Sequence, residues 1–335
     1  MTTRSKRKDE HVKLALAQHE KNNDFDLMRF YHHSFPEINY RDIDLSTHYL
    51  GQTFNYPFYI NAMTGGSEKT KELNRKFALI AKRYGLMMVL GSQHAALDDK
   101  TLEESYRVVR DVNPEGFILG NINPNASVTE AKRAVEMIHA NALSIHINPA
   151  QELTMDEGDR DFSHWLHRIE SINKELDVPV IVKEVGFGMS RYTINQLQKI
   201  GIKHIDVSGK GGTNFVTIEN TRSEGKRFSY LENWGLSTVE SLIEAKPFMN
   251  KVEIMASGGI RNPLDVIKAL ALGAQAVGLS SVFLKMVHDK KEEEMYAEVD
   301  QFIDELKRIM LLLGKTNPRE LTDTDIIWEG RLKER

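Results

Sequence analysis

The chain has 335 residues, 41% hydrophobic and 27% charged, the balance of a folded globular protein rather than a disordered one. Its 44 basic against 48 acidic residues give a net charge of −4, without the basic excess that nucleic-acid binding requires, so any anion site must be local. The absence of cysteine excludes disulfides, thiolate metal sites and cysteine nucleophiles.

At the N-terminus, MTTRSKRKDEH leads into no signal-type apolar core, and no later apolar run reaches the roughly 20 residues of a membrane span. A cytoplasmic protein with no membrane or nucleic-acid partner is expected. RKDEH, Arg7 to His11, places two cations, two acids and an imidazole within about one helical turn, and KDEHVKLALAQHE reads as a helix. This is either a solvated charged terminus or an arm able to grip an anionic ligand.

Eight short apolar runs follow: FYINAM from Phe58, MMVLGS from Met87, FILGNI from Phe117, LSIHIN from Leu143, VIVKEV from Val180, HIDVSG from His204, EIMASG from Glu253 and AVGLSS from Ala276. Between most of them lie segments such as TKELNRKFALIAKRYG, TEAKRAVEMIHAN, RYTINQLQKIG and PLDVIKALALGA, whose apolar residues return every three or four positions. Nearly continuous apolar strands alternating with helices predict a parallel (β/α)8 TIM barrel of the α/β class, with a doubly wound sheet as the alternative. The expected organisation is one domain: a 1–55 extension carrying the arm, a 56–289 barrel, and a 290–335 helix and tail. The stretch between Asp206 and Glu253 is long and reads as a loop insertion over the site.

In a barrel, the strand ends Thr64-Gly65-Gly66, Gly91-Ser92-Gln93, Gly120-Asn121, Asn148, Lys183-Glu184, Ser208-Gly209 and Ser257-Gly258-Gly259 gather on one face, where barrel active sites sit. ASGGIR, Ala256 to Arg261, followed one repeat later by AVGLSS, suits a phosphate held by glycine backbone and a short helix N-terminus, though a plain tight turn uses the same residues. Lys183 in the apolar VIVKEV needs an anionic partner, either a neighbouring carboxylate or an electron-rich ring edge. In HINPAQE, Asn148-Pro149 is expected to break the strand and leave Gln151 and Glu152 on the loop facing the site. Glu152 is either a ligand for a hard cation such as Mg2+, or a solvated loop carboxylate or helix N-terminal charge.

Taken in order, RKDEH, INAMTGG, GSQ, HINPAQE, VKEVGFG, DVSGKGGT, NWG and ASGGIR resemble the motif set of the type 2 isopentenyl-diphosphate isomerases, from residue 7 to residue 261. The resemblance implies interconversion of isopentenyl and dimethylallyl diphosphates with FMN in the barrel, Mg2+ on the diphosphate and NADPH or NADH only as flavin reductant, in a homo-oligomer, tetramer or octamer. It implies FMN binding by Ala62, Met63, Thr64, Ser92, Asn121, Lys183, Ser208, Thr213, Gly258, Gly259, Arg261, Leu279 and Ser280. Substrate binding falls to Arg7, Lys8, His11, Ser92, Gln93, His94 and Gln151, catalytic roles to Gln151, His146 and Asn148, and Mg2+ to Glu152. A neutral amide is a very weak acid and base, so flavin N5 is expected to carry the proton while Gln151 orients or relays it.

Two other enzyme classes share such a barrel. FMN-dependent 2-hydroxy-acid oxidases and dehydrogenases place a catalytic histidine in an S-N-H-G-G stretch, where this chain has Ser208-Gly209-Lys210-Gly211-Gly212. Nucleotide dehydrogenases and reductases need a cysteine, which the chain lacks. A catalytically silent flavin- or phosphate-binding barrel is the non-enzymatic alternative.

Overall fold

The computed structural model describes residues 3–18, 22–222 and 227–334, with side chains from residue 9 onward. The eight apolar runs form the barrel strands β1 (Phe58–Ile60), β2 (Met88–Val89), β3 (Ile118–Ile122), β4 (Ala142–Ile147), β5 (Val180–Glu184), β6 (His204–Asp206), β7 (Glu253–Ser257) and β8 (Ala276–Leu279). Each pairs in parallel with the next, and β8 closes on β1 through Val277 opposite Phe58. This is the (β/α)8 TIM barrel that the sequence predicts.

The two-residue period of a strand decides which side chains fill the barrel. Tyr59, Val89, Leu119, Ala142, Ile181, Met255 and Ala276 point inward and make the inner core, while Phe58, Ile118, Val180, Val182 and Ile254 face the surrounding helices. Those helices start where the sequence supplies a side-chain acceptor: Ser67, Ser127, Ser190, Ser237 and Asn262 cap the helices after β1, β3, β5, β6 and β7. Each such cap contributes about 1 kcal/mol and fixes where the strand-to-helix loop ends.

The N-terminal extension does more than carry an arm. Its hairpin, Thr47–Tyr49 with Gln52–Phe54, inserts Tyr49, Leu50 and Phe54 into the inner core. Glu253 of β7 tethers it by accepting the Leu50 N–H at 2.9 Å. Met28–Phe30 pairs antiparallel with Ile326–Trp328, so the extension and the tail are joined. The arm helix, Thr3–Ala17, packs against the helices Ser281–Val287, Glu68–Tyr84 and Phe215–Arg222. Among the described residues no helix is long and apolar enough to cross a membrane.

Candidate active site

An even number of positions beyond the inner core, the same inward period brings Asn61, Gly91, Asn121, His146, Lys183, Ser208, Ser257 and Gly278 together, one from the C-terminal end of each strand or just past it. They line a cavity of about 1020 Å3. That is the upper end of the roughly 300–1,000 Å3 usual for ligand sites, enough for a large cofactor with a small second ligand beside it.

One end is built from glycine. Gly258 and Gly259 adopt φ +87° and +74°, and a Cβ on Gly258 would lie 2.0 Å from the Gly209 carbonyl oxygen, so the ends of β6 and β7 interlock as bare backbone. Gly259 and Ile260 line the cavity, and among the described residues their backbone N–H groups meet no protein acceptor. Successive N–H groups beside left-handed residues form a concave anion cradle. Ser208, Thr213 and Ser280 add hydroxyls to the wall. A phosphate-tailed ligand therefore fits this end on geometry alone. Ser208 is held at φ +34°, an uncommon conformation for a side-chain-bearing residue. Its surroundings enforce it: its carbonyl accepts from Gly186 and Gly188 at 3.0 and 3.1 Å, and its N–H donates to Asp206 Oδ1 at 3.1 Å.

The floor is charged. Asp206, buried, accepts from Tyr59 Oη at 2.9 Å, from Asn61 Nδ2 at 3.3 Å and from Ser257 Oγ at 2.8 Å, joining β1, β6 and β7. Lys183 stands opposite Asp206 in the β5–β6 register and donates to the Glu184 carbonyl at 2.7 Å. Burial pulls the Lys183 ammonium below its usual value, against the opposing pull of Asp206 and Glu184. Burial likewise pushes the Glu184 carboxyl up to about 8, although the N–H groups of Phe187 and Val185 donate to it. The hydrogen-bond partner of Lys183 is thus a backbone carbonyl, with Asp206 and Glu184 acting as nearby charges, and its cavity-lining position leaves it facing a ligand as well.

The other end is amide and acid. Asn148 donates through Nδ2 to Gln151 Oε1 at 3.1 Å and to Glu152 Oε1 at 3.0 Å, and its buried Oδ1 meets no partner among the described residues. Gln151 in turn donates to Glu219 Oε1 at 3.4 Å, so both ends of its amide are oriented. Glu219 also pairs with His11 Nε2 at 3.1 Å and Arg222 Nη1 at 2.5 Å. Burial pushes the Glu219 carboxyl up, but His11 and Arg222 together outweigh it and hold it below the ordinary value. Nδ1 of His146 meets Asn121 Oδ1 at 2.9 Å, while Asn121 Nδ2 donates to the Leu90 carbonyl, so Nδ1 is the donor in this contact.

Gln151 and Glu152 sit not on a loop but in a short helix, Pro149–Thr154, that Pro149 opens at its first position, and the loop that follows this helix is organised by Arg160. Its guanidinium donates to the carbonyls of Glu152 at 2.8 Å, Gly158 at 2.6 Å, Asp159 at 3.0 Å and Met155 at 2.7 Å. A Cβ at Gly158 would stand 2.0 Å from the Glu152 carbonyl oxygen, so the loop closes this tightly only around glycine. Glu152 accepts the Asp159 N–H through Oε2 at 3.1 Å. Among the described residues no three His, Asp or Glu side chains converge as a metal cage. A single hard carboxylate suits Mg2+, which usually keeps one or two protein carboxylates beside substrate phosphates.

Of the residues expected at the site, His11, Ala62, Met63, Ser92, His94, Asn121, His146, Asn148, Gln151, Glu152, Lys183, Ser208, Thr213, Gly258, Gly259 and Ser280 all line the cavity. Four do not. Gln93 is fully buried behind the wall, donating to the Ala134 carbonyl and accepting the Asn121 N–H, so it is not placed for substrate. Thr64 is buried off the cavity, and its carbonyl accepts from Gly91. Leu279 packs outward into the helix-facing core. Arg261, expected near a phosphate, is spent on Asp265 and, bidentately, on Asp26. The side chains of Arg7 and Lys8 lie outside the described residues.

The arm helix covers the mouth. His11, Val12 and Ala15 line the cavity, Asp9 accepts from Ser67 Oγ at 2.7 Å, and Gln18 exchanges two hydrogen bonds with Asn214. The long insertion after β6 contributes Thr213, Phe215 and Arg222 to the wall, as expected of a loop over the site. Asn61, Asp206 and Glu219 are the site residues that sequence reasoning missed.

Residues 121–329 match the model of the FMN-dependent dehydrogenase family. The chain is 50% identical over 330 residues to the isopentenyl-diphosphate delta-isomerase of Staphylococcus aureus, covering 98% of this chain and 95% of that protein, and equally identical to that of its strain Newman. In fold it is similar to a flavocytochrome b2 variant with pyruvate bound, with TM-score 0.68 and 20% identity over 93% of this chain and 81% of that one. A mandelate oxidase variant with an FMN adduct gives TM-score 0.64 and 14% identity, covering 96% and 92%.

Proposed function

The chain belongs to the isopentenyl-diphosphate delta-isomerases, and from that premise we propose that its rim cavity interconverts isopentenyl and dimethylallyl diphosphates over reduced FMN with Mg2+ and no net redox change. The glycine end suits the FMN phosphate and the floor around Lys183 the ring. Gln151 would orient the alkene and Glu152 bind Mg2+ on the diphosphate, with His11 on the arm beside it. FMN bound there would supply and recover the proton at N5, moving the double bond by one addition and one removal. NADPH or NADH as reductant, and assembly as a tetramer or octamer, rest on the resemblance alone.

The observation that carries this reading is the state of the β6 loop. Where 2-hydroxy-acid oxidases place their histidine base, Lys210 turns to donate to the Asn233 carbonyl at 3.0 Å and stands off the cavity wall. Without that base, hydroxy-acid oxidation loses its proton acceptor, whereas an allylic proton shift does not require one there. Anaerobically reduced, FMN-loaded protein given isopentenyl diphosphate and Mg2+ is expected to form dimethylallyl diphosphate. Consumption of lactate or mandelate by the oxidised protein, with no diphosphate product, would instead favour the oxidase reading.

The Arg160 loop adds a prediction on the metal. Removing the guanidinium frees four carbonyls and slackens the loop that orients Glu152. Loss of an orienting partner typically costs 10–100-fold in metal affinity or activity. Arg160→Ala is expected to raise the Mg2+ concentration for half-maximal rate by about 10-fold, with FMN affinity unchanged.

A further inference from the structure

The segment just after the arm, Asn23 to Asp26, lies against the back of the glycine cradle. Its flanks are anchored: Phe25 is buried in the core, and its carbonyl accepts from Lys268 at 2.7 Å. Asp24 accepts from Ser237 Oγ and from Arg331 of the tail, each at 2.5 Å. Asp26 takes the fork of Arg261 at 2.6 and 3.0 Å. Arg261 thus serves the cradle from outside by fastening this segment.

Only Asn23 reaches the cradle itself. Its Oδ1 accepts the Phe25 N–H at 3.0 Å and its N–H donates to Asp26 at 2.9 Å, which fixes the amide so that Nδ2 donates to the Gly259 carbonyl at 2.8 Å. The fit leaves no slack, since a Cβ on Gly259 would meet Asn23 Nδ2 at 3.0 Å. The Gly259 peptide that offers its carbonyl to Asn23 carries the Ile260 N–H on its other edge, the group left without a protein acceptor in the cavity wall. A planar peptide held at its oxygen has its N–H direction set as well.

We propose that Asn23 is a positioning residue for the ligand phosphate, acting by clamping the Gly259–Ile260 peptide so that its N–H points into the cradle. The inference rests on the FMN reading and specifies which part of FMN depends on residue 23. Riboflavin, which has the same ring and ribityl chain but no phosphate, separates the two effects.

The test titrates FMN and riboflavin, each followed by quenching of flavin fluorescence, into cofactor-stripped wild-type, Asn23→Ser and Asn23→Asp proteins. Serine and aspartate both cap helices well and preserve the acceptor for Phe25, so the 3-10 turn at Asp24–Leu27 should survive in each. Both lack the amide donor. The expected result is a Kd for FMN raised by roughly 3- to 10-fold in Asn23→Ser, the worth of one hydrogen bond, and by at least as much in Asn23→Asp, with riboflavin affinity within about twofold of wild type. Unchanged FMN affinity in both variants, or equal weakening of both flavins, would overturn the proposal. Wild-type protein that binds neither flavin would overturn the FMN reading itself.

Discussion

Protein loaded with reduced 5-deazaFMN is expected to hold isopentenyl diphosphate and Mg2+ as the FMN form does, yet to turn over about 10²–10⁴-fold more slowly, the range for loss of a positioned acid or base. The reason lies in what surrounds Gln151. Its amide is neutral and already hydrogen-bonded to Asn148 and Glu219. Glu219, the acid that accepts from this amide, is held below its ordinary pKa by His11 and Arg222 although burial pushes it up, so it resists protonation. The His11 nitrogen that faces it is committed to the same carboxylate. With the groups around Gln151 committed in this way, the proposed reading gives the proton to position 5 of the flavin, and carbon there does not exchange a proton as nitrogen does. Normal rates with bound 5-deazaFMN would move the acid–base role to the protein.

Gln151→Ala should produce the second-largest loss. The substitution removes the acceptor for Asn148 Nδ2 and the donor to Glu219 Oε1, freeing a site otherwise oriented at both ends. Misplacement of reacting groups by about 1 Å can cost about 10²-fold. Turnover is expected to fall by about that factor, while the Kd for FMN stays within about twofold, because the glycine cradle is built from β6 and β7 and Gln151 follows β4. Equal loss of turnover and FMN affinity would mark Gln151 as a structural residue.

The barrel was legible because its signals are local. Each strand is a short apolar run, each following helix has a period near 3.6, and both are readable within a dozen residues. The gathering of strand ends on one face follows from the topology, and sixteen of the named residues, from His11 to Ser280, meet there. Direction was harder. Gln93 and Arg261 carry the right chemistry for anion contacts, but Gln93 turns back to the Ala134 carbonyl and Arg261 turns outward to Asp26. Motif order fixes where a residue lies along the chain and not where its side chain points.

Asn61 and Asp206 could have been found from the strand period alone. Asn61 stands two positions beyond inward Tyr59, and Asp206 two positions before inward Ser208, so both were bound to face the barrel interior. Glu219 and Asn23 carried no such signal. Glu219 matters through His11, 208 positions away, and Asn23 through Gly259, 236 positions away, and each pairing exists only once the arm and its following segment fold back over the rim.

A cavity that moves a double bond without consuming electrons turns over many times on one reduced flavin. The most direct measurement counts dimethylallyl diphosphate formed per FMN reduced, in anaerobic protein given one equivalent of reductant, isopentenyl diphosphate and Mg2+. Many products per flavin, with the reduced spectrum persisting throughout, is the result expected. One product per flavin, with the spectrum returning to the oxidised form, would contradict the account and make the protein an oxidoreductase.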